Sequence, residues 1–167
     1  MMNEQDTVFH VGDHVIHWSY GLGEIIKLDE KVLSGHAGKY YVLQINNLTL
    51  WVPLAEASER CLRFPTPARD FPELFRILST PGEPLSTDRY TRKTQLTELL
   101  GDRTIESICR VVRDLVDYKR LKKINENDKS TLEHAREFLL NEWSLALSVP
   151  IQQAEGELSK LLDAHVV

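Results

Sequence analysis

The chain has 167 residues, with 25 acidic residues against 20 Lys and Arg, and a formal net charge of −5. This length suits one ordinary domain or two small ones, and a hydrophobic share of 42% is enough for a packed core. The acidic balance excludes a generally basic protein, and no apolar run approaches the roughly 18 residues that span a bilayer. Residues 1–7 are polar and acidic, unlike a signal peptide, so we expect a cytoplasmic protein.

The first part of the chain, residues 9–64, carries the signals of short β-strands. Apolar residues alternate from Phe9, which places Val11 on the expected buried face. A Gly-rich segment at residues 20–23 and the Asn46–Asn47 pair are typical of turns, since both residue types accept left-handed backbone. The predicted strands cover residues 9–18, 22–33, 39–45 and 48–52. Strands this short and this regularly spaced predict a small antiparallel β-barrel, because closure removes exposed sheet edges.

After residue 66 the apolar spacing becomes that of helices. Asp70 and Glu73 have the spacing of a capping box, and Ser86 or Thr87 is expected to cap the second helix. The five predicted helices are centred on residues 70–78, 87–100, 105–116, 132–146 and 150–162. The predicted fold class is therefore α+β, with a β domain at residues 1–66 followed by a compact all-helical domain at residues 67–167.

The sequence holds no recognisable catalytic or metal-binding motif. It contains no nucleophile elbow, phosphate loop, dinucleotide fingerprint or zinc-protease motif. His14 and His17 are predicted to point to opposite faces of a strand and so could not share a metal. Cys61 and Cys109 are far apart and have apolar neighbours, which predicts unbridged thiols. We therefore expect a protein that is not an enzyme and has no cofactor, no metal, no membrane contact and no small-molecule substrate.

Positive charge is concentrated in residues 89–123, where ten basic residues stand against five acidic ones. Arg89, Arg92 and Lys93 are spaced to line one side of a helix, with Tyr90 among them. Such a row would contact phosphates and give a salt-sensitive affinity for nucleic acid. The alternative is a solvated face, with the cations at the end of the third predicted helix complementing the helix dipole.

Several short motifs, taken together, resemble the CarD/CdnL family of bacterial transcription regulators. In the β region they are Val-Gly-Asp-His-Val at 11–15, Tyr-Gly-Leu-Gly-Glu-Ile-Ile at 20–26, Gly35, Tyr-Tyr-Val-Leu at 40–43 and Leu-Thr-Leu-Trp-Val-Pro at 48–53. In the helical region they are Arg-Val-Val-Arg-Asp-Leu at 110–115, Leu-Glu-His-Ala-Arg at 132–136 and Glu-Trp-Ser-Leu-Ala at 142–146. The N-terminal module of this family also occurs in the transcription-repair coupling factor. The motifs keep their order over nearly the whole chain, which makes the resemblance more specific than any single motif.

The resemblance implies a Tudor-like β-barrel followed by a compact helical domain, acting without catalysis. It implies that the barrel binds the β subunit of bacterial RNA polymerase, and that the helical domain approaches promoter DNA and stabilises the open complex. On this sequence, the implied polymerase-binding residues are Lys31, Trp51 and Pro53. An exposed Trp51 would suit a protein interface, because aromatic side chains bury a large area at low entropic cost. Packing of Trp51 on the helical domain is the alternative.

The DNA-binding positions implied by the resemblance lie at the start of the second helix. Members of the family carry a Trp there that wedges into the minor groove, and the matching residue in this chain is Thr87. The predicted set of DNA-binding residues is Thr87, Arg89, Tyr90, Arg92 and Lys93. Asp88 adds a negative charge to this segment. Two alternatives therefore stay open: a polymerase-binding adaptor without DNA contact, and an RNA-binding small-barrel protein.

Overall fold

The computed structural model describes residues 8–33, 35–57 and 61–166. The chain divides into two compact units, residues 1–65 and 66–167. The first, which we call the β unit, holds the strands, and the second, the helical unit, holds the α-helices. The predicted α+β class is confirmed. No helix in the described part of the chain is long and apolar enough to cross a membrane.

The β unit is built on one antiparallel sheet of five strands. In chain order they are β1 His14–His17, β2 Gly21–Leu33, β3 His36–Ile45, β4 Leu48–Pro53 and β5 Leu62–Arg63. Their order across the sheet is β4-β3-β2-β1-β5. Asn46 lies in the β3–β4 turn with a φ of 53°, the left-handed backbone that the turn prediction requires. A small core is formed by Phe9, Val15, Ile25, Tyr41, Leu43, Ile45, Val52 and Leu62.

The sheet is open, so the prediction of a closed barrel was wrong. β4 and β5 are its two edges, and no ladder joins them in the described residues. Neither edge offers a long ladder for closure: β5 pairs with β1 over two residues only, and β4 ends at Pro53, which has no N–H to donate. The first strand is also shorter than predicted, and Val11 is 58% exposed rather than buried. β5 was not predicted, because two residues are too few to show alternation.

A β-bulge in β2 decides which of its side chains share a face. Ile25 pairs with Leu43, whereas the next paired residue is Lys27, which pairs with Val42. Ile26 is therefore the extra residue of the bulge. Successive strand side chains point to opposite faces, so one extra residue reverses the alternation that follows it. Lys27 and every second residue after it thus lie on the face opposite Ile25, which we call the outer face.

The helical unit contains five α-helices. They are α1 Phe71–Ser79, α2 Arg89–Gly101, α3 Ile105–Leu121, α4 Glu126–Leu147 and α5 Ile151–Asp163. Their apolar faces meet in one core, whose members include Phe71, Leu74, Leu115, Leu139, Trp143 and Leu158. Cys109 lies in this core, and burial raises the pKa of its thiol. Cys61 is partly buried in the β unit, and both cysteines are unbridged, as predicted.

Side-chain caps determine where several of these helices begin. Thr104 caps α3, and Asn125 forms a complete capping box with Asp128 at the start of α4. The predicted capping box of Asp70 and Glu73 was wrong, because Asp70 makes no side-chain capping hydrogen bond. Asp70 ends a 3₁₀ turn and has helical backbone (φ −91°, ψ −8°), whereas a capping residue normally has extended backbone.

Asp88 is the cap of α2. Its carboxylate accepts a hydrogen bond from the Thr91 N–H at 2.9 Å, and this bond is the main reason that the pKa of Asp88 lies below its usual value. Ser86 and Thr87, the predicted caps, precede the capping position. The negative charge of Asp88 is therefore engaged with the helix N-terminus, where an anion is stabilising.

Replacing Gly23 with Ala is expected to destabilise the β unit. The added Cβ would lie 2.5 Å from Ile45 Cγ1 and 3.0 Å from the Gln44 carbonyl oxygen, and Ile45 is buried. We expect the free energy of unfolding to fall by about 1–3 kcal/mol, measured by amide hydrogen exchange along β3. Gly156→Ala is the control, since nothing lies within 4 Å of its added Cβ, and the change should stabilise α5 slightly. Unchanged β3 exchange in Gly23→Ala would contradict the prediction.

Candidate functional site

Lys31 and Trp51, two residues implied to bind polymerase, lie together on the outer face of the sheet. The Lys31 Nζ is 3.6 Å from the centroid of the Trp51 ring, which is a cation–π contact. Trp51 pairs across β4 and β3 with Val42, and Val42 pairs on its other side with Lys27. Pro53 lies two residues after Trp51 and so shares its face. We call this set the outer-face cluster: Lys27, Asp29, Lys31, Trp51 and Pro53.

Two cations and one carboxylate share the outer face with Trp51. The Lys27 Nζ lies 3.3 Å from an Asp29 carboxylate oxygen. The hydrogen bond from Lys27 is the main reason that the pKa of Asp29 lies below its usual value, and a weaker hydrogen bond from the Trp51 side chain acts in the same direction. The Lys31 ammonium group lies over the Trp51 ring and restrains it. An aromatic side chain that is already restrained loses little entropy when a partner covers it.

The outer-face cluster borders an open edge of the sheet. Trp51 is 36% exposed, and Leu48 at the start of the same strand is 40% exposed. β4 pairs with β3 on one side, and within the described ranges no strand covers its other side. A strand edge offers unpaired N–H and C=O groups, and a large aromatic ring offers apolar area. These two properties together suit a protein partner.

Arg92, predicted to contact DNA, is buried inside the helical unit. It is 3% exposed, and its guanidinium forms a bidentate pair with Asp128, with Nη2 2.8 Å from Oδ2 and Nε 3.1 Å from Oδ1. Its Nη1 donates to the Ser86 carbonyl at 3.0 Å and to the Tyr118 hydroxyl at 3.2 Å. Hydrogen bonding to Asp128 is the main reason that the pKa of Arg92 is raised. The predicted surface row of three cations on α2 was therefore wrong, because one of the three is internal.

The same guanidinium joins the ends of three helices. Arg92 lies in the first turn of α2, Tyr118 in the last turn of α3 and Asp128 in the first turn of α4. Arg92 also lies over the Tyr118 ring, 4.8 Å from its centroid, and Asp128 accepts from the Asn125 N–H at 3.1 Å. The start of α2, the end of α3 and the start of α4 therefore converge around one buried ion pair.

The other predicted DNA contacts are on the surface. Arg89, Tyr90 and Lys93 are exposed, as is Thr87 just before the cap. Arg89 donates to the Tyr90 hydroxyl at 2.9 Å and lies 4.8 Å from the centroid of its ring. The start of α2 thus presents two cations and an aromatic ring, a combination that fits phosphates and an exposed base.

Comparison with known proteins decides the family. The family model described as CarD, C-terminal domain, matches residues 73–159, which is more than half of the chain, and the CarD-like/TRCF RID domain matches residues 9–63. This chain belongs to the CarD family. A protein of Bacillus subtilis (strain 168) named "Putative transcription factor YdeB" is 27% identical over 155 residues, which cover 89% of this chain and 99% of that protein. The resemblance predicted from the motifs is confirmed, and the chain is a CarD-family transcription regulator.

Two determinants of these sites in the CarD-family chain were missed from the sequence. The first is the partner of Arg92, because Asp128 lies 36 residues away. The spacing of Asn125 and Asp128 indicates a capping box at the start of a helix, but it does not show which cation pairs with Asp128. The second is the β-bulge at Ile26, which no local sequence pattern indicates. The described residues contain no group of three His, Cys, Asp or Glu side chains arranged to hold a metal.

Removing the Arg92 guanidinium is expected to lower the free energy of unfolding by about 3–5 kcal/mol, because Asp128 is left as a buried, uncompensated carboxylate. The measurement is a urea titration of Arg92→Met followed by circular dichroism. Arg89→Met is the matched control, and its effect should stay within about 0.5 kcal/mol because Arg89 is exposed. The double variant Arg92→Met/Asp128→Leu should recover most of the loss. Equal effects of the two single variants would contradict an internal role for Arg92.

Proposed function

We propose that this CarD-family protein binds the β subunit of RNA polymerase through the outer-face cluster and contacts promoter DNA through the start of α2. It acts by binding, without catalysis, and it modulates formation of the open complex. The observation that carries the proposal is the contact between Lys31 and Trp51 beside the open β4 edge. Both residues lie within residues 9–63, the region that matches the CarD-like/TRCF RID domain.

The outer-face cluster supports a protein partner on physical grounds. Trp51 is restrained before binding, so a partner that covers its exposed face gains apolar burial at a low entropic cost. Lys31 places a positive charge at the rim of that area, so a complementary surface carries carboxylates there. The open edge of β4 can add backbone hydrogen bonds to a strand of the partner. Apolar anchor, charged rim and strand edge are the components of a specific protein interface.

The start of α2 supports contact with the DNA backbone. Arg89 and Lys93 are exposed and form no salt bridge with a described residue. Cations of this kind bind phosphates independently of base sequence, and each phosphate contact adds about −0.9 to the slope of log affinity against log salt. Tyr90, 67% exposed, adds a ring that can stack on an unpaired base. The helical unit would therefore contribute salt-sensitive affinity rather than sequence preference.

A second candidate function is a polymerase-binding adaptor that makes no DNA contact. Thr87 stands where a wedging Trp is expected in the family, and Asp88 places a carboxylate in the same segment. Arg92 is withdrawn into the core of the helical unit. These three observations favour the adaptor. DNA titrations in the presence of polymerase separate the two functions.

Trp51→Ala is expected to weaken binding to the purified polymerase β subunit by about thirtyfold, the loss typical of an aromatic anchor at the centre of an interface. Lys31→Ala should weaken it by about three- to fivefold, because it removes the cation over the ring. The measurement is surface plasmon resonance with the β subunit immobilised. Trp18→Ala is the matched control, since Trp18 is 47% exposed and belongs to the same unit, outside the outer-face cluster.

Equal losses in Trp51→Ala and Trp18→Ala would show damage to the sheet rather than loss of an anchor. A β subunit that does not bind the unchanged protein would overturn the polymerase half of the proposal.

Charge reversal at the start of α2 tests the DNA half. The full chain is titrated into polymerase holoenzyme, with and without fork-junction promoter DNA, at several salt concentrations. For Arg89→Glu/Lys93→Glu we expect unchanged affinity for polymerase alone and loss of the affinity gained from DNA. The slope of log affinity against log salt should become shallower by about 1.8, the value for two phosphate contacts. Lys160→Glu on α5, an exposed cation, is the control. If DNA adds nothing to the affinity of the unchanged protein, the adaptor is the correct function.

A further inference from the structure

The connection between α1 and α2 contains a glycine placed between two prolines. Proline fixes its own φ and restricts the residue before it, so the pairs Thr80–Pro81 and Glu83–Pro84 are stiff. Gly82 stands between them, and a residue without a Cβ has the widest range of backbone conformations. The backbone of the connection is therefore free to turn at Gly82 unless other groups hold it there.

The side chain of Asp117 in α3 holds this glycine. Its Oδ2 accepts a hydrogen bond from the Gly82 N–H at 2.6 Å, a short distance that is typical of a charged acceptor. The nearby carboxylate of Asp114 accepts from the Glu83 N–H at 3.0 Å. A Cβ on Gly82 would lie 3.0 Å from Asp117 Oδ2 and 3.1 Å from the Asp114 Cα, so any larger residue would crowd α3 at this point. The connection is therefore fixed to α3 at its most flexible residue.

The same carboxylate is bound by the segment that follows α5. His165 Nε2 lies 2.9 Å from both Asp117 oxygens, and this nitrogen must donate, because an ionised carboxylate can only accept. Arg120 Nη1 donates to Asp117 Oδ1 at 2.9 Å and to the Leu162 carbonyl at 3.1 Å. The side chain of Asp117 is only 22% exposed. His165 therefore limits the access of water to the carboxylate that holds Gly82, which strengthens that hydrogen bond.

The other end of the connection is fixed to α2. The Ser86 N–H donates to Gln95 Oε1 at 2.8 Å, and the Ser86 carbonyl accepts from Arg92 Nη1 at 3.0 Å. Asp88, the cap of α2, follows two residues later. The short path from Gly82 to this cap contains a proline, which removes freedom from the backbone. The position of Gly82 thus affects where α2 begins and where the exposed cations of its first turns lie.

We propose that Asp117 is a positioning residue through which the segment after α5 controls the start of α2. While His165 covers the carboxylate, Asp117 holds Gly82 and the cap of α2 keeps one place. When the His165 ring leaves, water reaches the carboxylate, the hold on Gly82 weakens and the start of α2 takes several positions. The functional part of this proposal rests on the proposed DNA contact, because the cations of α2 bind phosphates only while they are in place.

A purely structural role for His165 would act on α5 instead. That helix is held by its apolar side, because Leu158 and Leu162 belong to the core of the helical unit and are buried. Loss of the contact between His165 and Asp117 should therefore leave α5 in place. The hold on Gly82 and the stability of α5 can be measured separately.

Amide hydrogen exchange in the full chain, followed by NMR, tests the hold on Gly82. His165→Leu removes the donor, so exchange of the Gly82 N–H should become about fivefold faster, while the Leu158 N–H keeps its rate. The change stays below the full loss of a hydrogen bond because Arg120 still binds Asp117. His165→Gln restores an N–H donor and should keep the Gly82 rate within about twofold of the unchanged protein. His134→Leu, at an exposed histidine of α4, is the matched control and should change neither rate.

The second measurement is the affinity that fork-junction promoter DNA adds to binding of polymerase holoenzyme. For His165→Leu this gain should fall by about threefold, because the cations of α2 are in place for only part of the time. The affinity for polymerase alone and the salt slope should not change, since no cation of α2 is removed. His165→Gln should keep the full gain.

Unchanged Gly82 exchange in His165→Leu, or an equal acceleration at Gly82 and Leu158, overturns the positioning role of Asp117. Faster Gly82 exchange without loss of the affinity gained from DNA overturns the control of α2. If DNA adds nothing to the affinity of the unchanged protein, the proposed contact at α2 fails, and the exchange rates alone decide whether Asp117 positions Gly82.

Discussion

The ion pair between Arg92 and Asp128 is the interaction on which the surface of the helical unit depends. Two buried charges are costly to desolvate, and here the cost is offset by bidentate geometry and by further hydrogen bonds to the Ser86 carbonyl and the Tyr118 hydroxyl. Because these groups come from the segment before α2 and from α2, α3 and α4, the pair holds three helix ends at one place. Those ends also carry exposed cations, so a buried interaction determines where the outer positive charge lies.

A comparable constraint acts in the β unit. There the extra residue Ile26 determines which face of the sheet each later side chain of β2 occupies. Without it, Lys31 would share a face with Ile25, and its ammonium group would lie on the other side of the sheet from Trp51. Bulges recur where a strand must redirect a side chain toward a binding surface. The outer-face cluster is therefore a product of backbone register as much as of residue type.

The parts of the fold that could be predicted are those whose signals are local. Alternation and helical spacing indicated four strands and five helices, because burying one face of an element imposes its period on the sequence. Whether the sheet closes could not be predicted in this way, because one of its edges is β5, which has only two residues and shows no alternation. Arg92 has the spacing of a surface residue, and only Asp128, distant in sequence, draws it inside. Lys31 and Trp51 were predicted as binding residues from the resemblance to the family. Their contact depends on a β-bulge that the apolar periodicity of the sequence does not reveal.

The open edge at β4 also has a consequence for contacts between copies of this chain. Its unpaired backbone groups can pair with a strand of another copy as well as with a strand of a partner. Trp51 and Leu48 beside that edge would add apolar area to such a pairing. A partner strand bound along β4, as proposed, would therefore also cover this edge against pairing with a second copy.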